Sequence, residues 1–140
     1  AADTGFTDVD LHTLQHVRYP NVFGLGDAGS MPNAKTAAAA RKQAPVVAVN
    51  ALRQLDGKGP TAGYDGYGSC PLTVERGKIV LAEFAYGGKL APSFPTWLVD
   101  GTKPARLSWM LKADLLPWLY WNGMLKGREW LAGPGGLIAQ

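Results

Sequence analysis

Between Asn33 and Leu55 the chain reads NAKTAAAARKQAPVVAVNALRQL. Ala, Arg, Lys, Gln and Leu all favour helix. Asn33 or Pro32 stands where a helix starts, and Gly57 where one stops. This run is the strongest constraint on the fold. Pro45 lies inside it and has no N–H for the carbonyl of Arg41, so a kink or break is expected there. Elsewhere 18 glycines and 10 prolines punctuate the 140 residues. They imply numerous turns around one long helix.

The remaining segments read as short elements. YPNVFGLGDAGS predicts a turn, a short strand at Val22 to Leu25, and a glycine turn. KGPTAG is a loop. Tyr64 to Tyr86 predicts strands: KIVLAEFAY is β-rich and alternates, and ERGK before it suits a hairpin turn. GGKLAPSFPTWLVDGTKP is a long connection. ARLSWMLKADLLPWLYWNGMLKGREWL predicts two short helices divided near Pro117. The fold class expected is α+β: a short strand, a long helix, small antiparallel strands and C-terminal amphipathic helices.

Composition narrows the function classes. An apolar content of 46% and a charged content of 18% describe a globular chain, and the length suits one domain. A net charge of +3, carried by scattered basic residues, argues against nucleic acid. One cysteine excludes an internal disulfide. The first residues show no signal peptide and no start methionine, so a fragment or processed product is expected. Trp109, Trp118, Trp121 and Trp130 crowd the last segment, with Arg106, Lys112, Lys126 and Arg128 among them. Lys112, Asp114 and Pro117 interrupt the apolar run, which is too short to span a bilayer. An amphipathic helix in the membrane interface fits this mixture, and so does a tryptophan-rich core or dimer face.

Four motifs carry possible chemistry. GLGDAGS sets Asp27 at a strand end, as a turn residue capping the helix or as an acceptor for sugar-like hydroxyls. Lys35 and Thr36 fall in the first helical turn, where a lysine opposes the helix dipole. His12 and His16 are spaced i, i+4, but no carboxylate or thiol matches them, so no metal is expected. Cys70, in YDGYGSCPL, lies between glycines and a proline that suggest a shaped turn. It is either a small structural residue or a reactive thiol on a loop.

Together, TLQHVRYPNVFGLGDAGSMPNAKTAAAARKQAP, YDGYGSCPL, KIVLAEFAY and LSWMLKADLLPWLYWNGMLKG resemble the C-terminal part of a sulfide:quinone oxidoreductase. That family is a membrane-attached branch of the flavin-dependent disulfide oxidoreductase-like enzymes. The resemblance runs from about residue 5 to 130, and GYGSCPL followed by KADLLPWLYW points to the branch that includes the mitochondrial enzymes. It implies a fragment of a two-dinucleotide-domain flavoprotein. Residues 1–60 would be a piece of the FAD-binding domain, and residues 61–140 a C-terminal domain with the redox cysteine and the membrane-side helices. Gly26 and Asp27 match the turn that contacts FAD, and Lys35 and Thr36 the helix start beside its isoalloxazine ring. Cys70 matches the second of two redox cysteines. Trp109 and Met110 are the implied quinone-side residues.

By the same resemblance, sulfide and quinone are the substrates and a membrane surface is a partner, with a bacterial inner membrane as the expected location. The G-x-G-x-x-G unit for the ADP half of FAD and the first redox cysteine have no counterpart in this sequence. The chain alone is therefore expected to be inactive and to hold FAD weakly or not at all. It is expected to pair with the absent N-terminal FAD domain or with a second copy of itself. Two other readings stay open. One is a related NADH:quinone oxidoreductase or sulfide dehydrogenase; the other is a non-catalytic membrane-surface or dimerisation module.

Overall fold

The computed structural model describes residues 3–128 and 133–136. Trp130 lies outside the described residues. The long helix, α1, spans Ala37–Leu55. It begins later than the sequence predicts, because Thr36 and not Asn33 is the N-cap: its side chain accepts from the Ala39 N–H at 3.2 Å. Asn33 is engaged elsewhere, donating to the Tyr64 hydroxyl at 2.8 Å. Pro45 sits inside the helix without ending it. Gln43 and Val46, on either side of it, are both buried, so tertiary contacts offset the one lost backbone bond.

The face of α1 bearing Ala39, Gln43, Val46 and Asn50 packs inward at helical spacing. Val46 joins Val9, Leu14, Met31, Ala62 and Tyr64 in the core. Asn50 fastens three segments together. Its amide N donates to the carbonyls of Thr13 and Ala62, and its oxygen accepts from the N–H groups of Thr61 and Ala62, all at 3.0 Å. All four capacities of a buried amide are thereby used.

The strand expected at Val22 to Leu25 is reduced to a single bridge between Phe23 and Gln15. The bonds His16 N–H to Val22 O and Gly24 N–H to Leu14 O flank it. The turn at Pro20–Asn21 and the 3₁₀ turn Gly26–Ala28 leave no room for a longer ladder. Nor do His12 and His16 share a helix. His12 Nδ1 lies 3.0 Å from the Tyr64 carbonyl, and His16 Nδ1 accepts from the N–H groups of Arg18 and Tyr19.

β1 (Ala62–Gly63) pairs antiparallel with β4 (Gly135–Gly136). β2 (Gly68–Glu75) and β3 (Lys78–Phe84) form the predicted hairpin. Its turn is at Arg76–Gly77, where Gly77 takes φ +84° at a position that suits glycine. A register shift falls between Thr73 and Glu75. Ile79, Leu81 and Glu83 are buried at period two. α2 (Arg106–Met110) packs against β3.

The C-terminal helices are not divided at Pro117. A π-helical segment, Leu111–Leu115, links α2 to α3 (Leu116–Asn122), and Pro117 lies in the first turn of α3. The Leu116 N–H reaches back to the Leu111 carbonyl. This wider turn relieves the clash that a proline ring makes with the carbonyl four residues earlier, so the helical path continues. Among the described residues no helix is long and apolar enough to cross a membrane.

Candidate functional site

Two loops and one strand converge on the start of α1. The first is the Gly26–Ala28 turn. Gly26 has φ +61° and donates its N–H to Gln43 Oε1 at 2.6 Å, which ties the turn to the helix. Asp27 is thereby left exposed. It does not cap α1, because Thr36 does.

The second loop carries Lys35, one residue before the N-cap instead of within the first helical turn. Its ammonium donates to the carbonyl oxygens of Gly29 and Met31 and lies 4.9 Å from the centroid of the Phe6 ring. Those acceptors explain how a lysine is tolerated beside the positive end of a helix dipole.

Cys70 stands on β2, opposite Ala82, and is exposed. The shaped turn expected at this residue is a strand. Pro71 is accommodated because, among the described residues, β2 pairs with β3 alone, and its other edge needs no N–H from it. Gly68, two residues back and on the same face, lies against the helix start: a Cβ there would meet Ala34 and the Thr36 hydroxyl at 3.5–3.6 Å. The lack of a side chain at Gly68 therefore brings the cysteine strand up to Thr36.

A cavity of about 190 Å³ opens at this junction, lined by Pro32, Asn33, Ala34, Gly66, Gly68 and Phe84 among others. Gly66 has φ +85° and lies directly against the Tyr86 ring, so no side chain fits there. The structure thus groups Thr36 and the Cys70 strand, with Lys35 and the Gly26–Asp27 turn on the flanking loops. Trp109 and Met110 are not part of this group. They lie on α2, which follows the bridge between Ala105 and Ile79 near the hairpin turn.

Sequence reasoning missed a buried polar cluster on the face of the hairpin opposite to Cys70, where Glu83 pairs with Ser69. Glu83 is 5% exposed. Its carboxylate accepts from the Tyr67 hydroxyl at 2.6 Å, the Ser93 hydroxyl at 2.5 Å and the Ser93 N–H at 3.0 Å. Burial, and then the bond to Glu83, pushes the Tyr67 phenol above its ordinary range. Tyr64 is pushed up to about 12, chiefly by burial. Its hydroxyl donates to the Tyr67 carbonyl at 2.5 Å. At Asp10 burial acts upward, but hydrogen bonds from Thr13 and His12 prevail and hold the carboxyl below its usual value. The signal for Glu83 was present in KIVLAEFAY, where it falls on the buried phase of the alternation. Among the described residues no group of His, Cys, Asp and Glu is arranged to hold a metal.

No protein-family profile matches the chain. It is 47% identical over 125 residues to the mitochondrial sulfide:quinone oxidoreductase of Dictyostelium discoideum, a match that covers 89% of this chain and 27% of that protein. The protein of the same name from Schizosaccharomyces pombe is 42% identical over 140 residues, covering 99% of this chain and 30% of the relative. The mouse one is 42% identical over 127 residues, covering 91% and 28%. A chain in the cryo-EM structure of the Tetrahymena thermophila mitochondrial ATP synthase F1Fo composite tetramer superposes with a TM-score of 0.69 at 33% identity. That match covers 90% of this chain and 28% of the other. The chain spans about 30% or less of the curated relatives it matches. Over nearly all of its own length, it belongs with one segment of the sulfide:quinone oxidoreductases.

Proposed function

We propose that the chain is the flavin-facing and membrane-facing part of an FAD-dependent enzyme that oxidises sulfide to sulfane sulfur and reduces quinone. The observation that carries this reading is the 42–47% identity, across 89–99% of the chain, to proteins named for that reaction. In it, residues 1–60 contribute to the FAD domain and residues 61–140 form the C-terminal domain. Bound FAD would supply two-electron chemistry between the sulfur side and the quinone side. Gly26 and Asp27 would face its ribityl and pyrophosphate part. Thr36 and Lys35 would lie beside the ring, the lysine favouring negative charge on the reduced form.

The residues fit FAD as one wall of a site. Gly66 and Gly68 line the cavity beside the helix start, but about 190 Å³ falls below the ~300–1,000 Å³ of sites that enclose a drug-sized ligand. The chain therefore needs further polypeptide to close the site and is inactive alone. Cys70 is exposed, and a second cysteine from outside this chain would pair with it. Trp109 and Met110 serve the quinone side. The exposed Trp118 and Trp121 seat the helices on a membrane surface, and the faces left open favour pairing with the rest of the enzyme or with a second copy. The relatives are named mitochondrial, and a bacterial inner membrane finds no support in them.

The test has two arms. The isolated chain shows no flavin spectrum and no sulfide-dependent quinone reduction; either signal overturns its assignment as a part. In the whole enzyme, Cys70→Ser abolishes sulfide-dependent quinone reduction while the flavin spectrum persists. Retained turnover in that variant removes Cys70 from the chemistry.

A further inference from the structure

The strand that carries Cys70 is held at both ends by side-chain hydrogen bonds, mostly local ones before it and ones from a helix about 40 residues away after it. Before it, Tyr67 is fixed at three atoms. Its N–H donates to Asp65 Oδ1 at 2.9 Å, its carbonyl accepts from Tyr64, and its hydroxyl donates to Glu83. After it, the Lys112 ammonium donates to the Pro71 carbonyl at 2.9 Å and to the Thr73 hydroxyl at 2.8 Å. Among the described residues β2 has no strand partner on its second edge. At the Pro71 carbonyl Lys112 thus supplies from a helix the donor that a neighbouring strand would supply. It belongs to the π-helical segment Leu111–Leu115, a widened turn of the kind that often occurs at functional positions. The same helical stretch carries the exposed Met110, Trp118 and Trp121.

We infer that Lys112 is a positioning residue for Cys70. It fixes the backbone on the C-terminal side of the thiol and joins the cysteine strand to the helices proposed to face quinone and membrane. This deepens the proposed function and rests on it for the role of Cys70. The clamp itself is a property of the chain.

Amide hydrogen exchange on this chain tests the clamp with Lys112→Met, which keeps the apolar stem but removes the donors, and Lys112→Arg, which restores them. Removing charge-assisted bonds from one strand edge speeds local opening by about tenfold, so the amides of Cys70 and Leu72 exchange that much faster in the methionine variant. In the arginine variant they return to within about twofold of the parent, and amides of α1 such as Val46 and Val49 are unchanged in both. Unchanged hairpin exchange with methionine, an equal rise in α1, or failure of arginine to restore protection overturns the inference.

In the whole enzyme the methionine variant lowers kcat for sulfide-dependent quinone reduction about tenfold with KM for quinone held, and arginine recovers it. A change confined to KM would place Lys112 in quinone binding instead. If Cys70→Ser leaves turnover intact while the exchange result holds, the functional reading fails and the clamp stands.

Discussion

The two ends of this chain solve opposite problems. Around α1, polar groups are buried and every one of the hydrogen-bonding capacities of Asn50 is met. In the C-terminal helical stretch the reverse holds: Leu107, Met110, Leu115, Trp118, Tyr120, Trp121 and Leu125 are all exposed, with Trp121 at 63%. The first region stabilises itself. The second spends little of its apolar surface on its own fold, so its side chains stand ready for a surface outside the chain. The contrast predicts that substitutions in the two regions separate stability from association.

Asn50→Leu has the largest expected effect. It leaves the Thr13 and Ala62 carbonyls and the Thr61 and Ala62 N–H groups without their partner, and buried orphans cost about 1–3 kcal/mol each. Some of these groups regain water on relaxation, so a loss of about 3–4 kcal/mol is expected, read as a lower denaturant midpoint. A midpoint near that of the parent would show that the clasp does not hold the first region together. Gly66→Ala comes next. It forces a Cβ into the Tyr86 ring at a positive φ, with about 2–3 kcal/mol lost and the Cys70 hairpin displaced from the helix start. Gly87→Ala is the control: its φ is also positive, at +73°, but no atom lies within 4 Å of the added carbon, so the loss is only the backbone part, about 1 kcal/mol.

How much of this was legible beforehand differs between the same two regions. The body of α1 and the ERGK hairpin follow from local chemistry: alanine-rich propensity in one, a glycine at positive φ in the other. The helix start did not follow, since Asn33 and Thr36 are both able caps and the choice was made by Tyr64, which lies 31 residues from Asn33. Cys70 was read as a turn residue because Gly66, Gly68 and Pro71 surround it, and the edge of β2 that is unpaired among the described residues reconciles a proline with a strand. Lys112 was legible only as a charge that interrupts the apolar run, and nothing local pointed to the hairpin it holds. Its partners, Pro71 and Thr73, are 41 and 39 residues away, beyond the reach of any local pattern. The same limit divided the C-terminal helices at Pro117, where a π-helical turn keeps them continuous.

A third prediction uses pH to probe the first region. Tyr64 keeps its proton in the folded state up to about pH 12, against about 10 for an exposed phenol. The folded state then binds more protons than the unfolded state between these values. This contribution to stability is complete below pH 10 and declines as pH rises toward 12. Burial raises the Tyr67 and Tyr86 phenols in the same direction. Thermal unfolding midpoints should therefore fall on the alkaline side of pH 10. Tyr64→Phe should shallow that fall, although it lowers the midpoint at neutral pH by removing the bonds to Asn33 and Tyr67. An identical alkaline slope in parent and variant would dissociate Tyr64 from it.

The smallest expected effect on stability is the one that most sharpens the contrast. Trp118 and Trp121 are 55% and 63% exposed, so exchanging both for serine removes little that the folded chain buries. The denaturant midpoint should move by no more than about 0.5 kcal/mol equivalent, the range of ordinary surface substitutions. Association should respond instead. Two interfacial indoles contribute much of the apolar area by which such a helix enters the headgroup region, so co-sedimentation with phosphatidylcholine vesicles should fall sharply in the double variant. Suppose instead that the midpoint drops by several kcal/mol while vesicle binding is unchanged. The tryptophans would then belong to the fold, and the second region would be as self-contained as the first. A loss of dimer without loss of vesicle binding would assign the same face to a second copy of the chain. Because stability, vesicle binding and oligomeric state are read separately, the double variant decides what the exposed helices are for without any appeal to turnover.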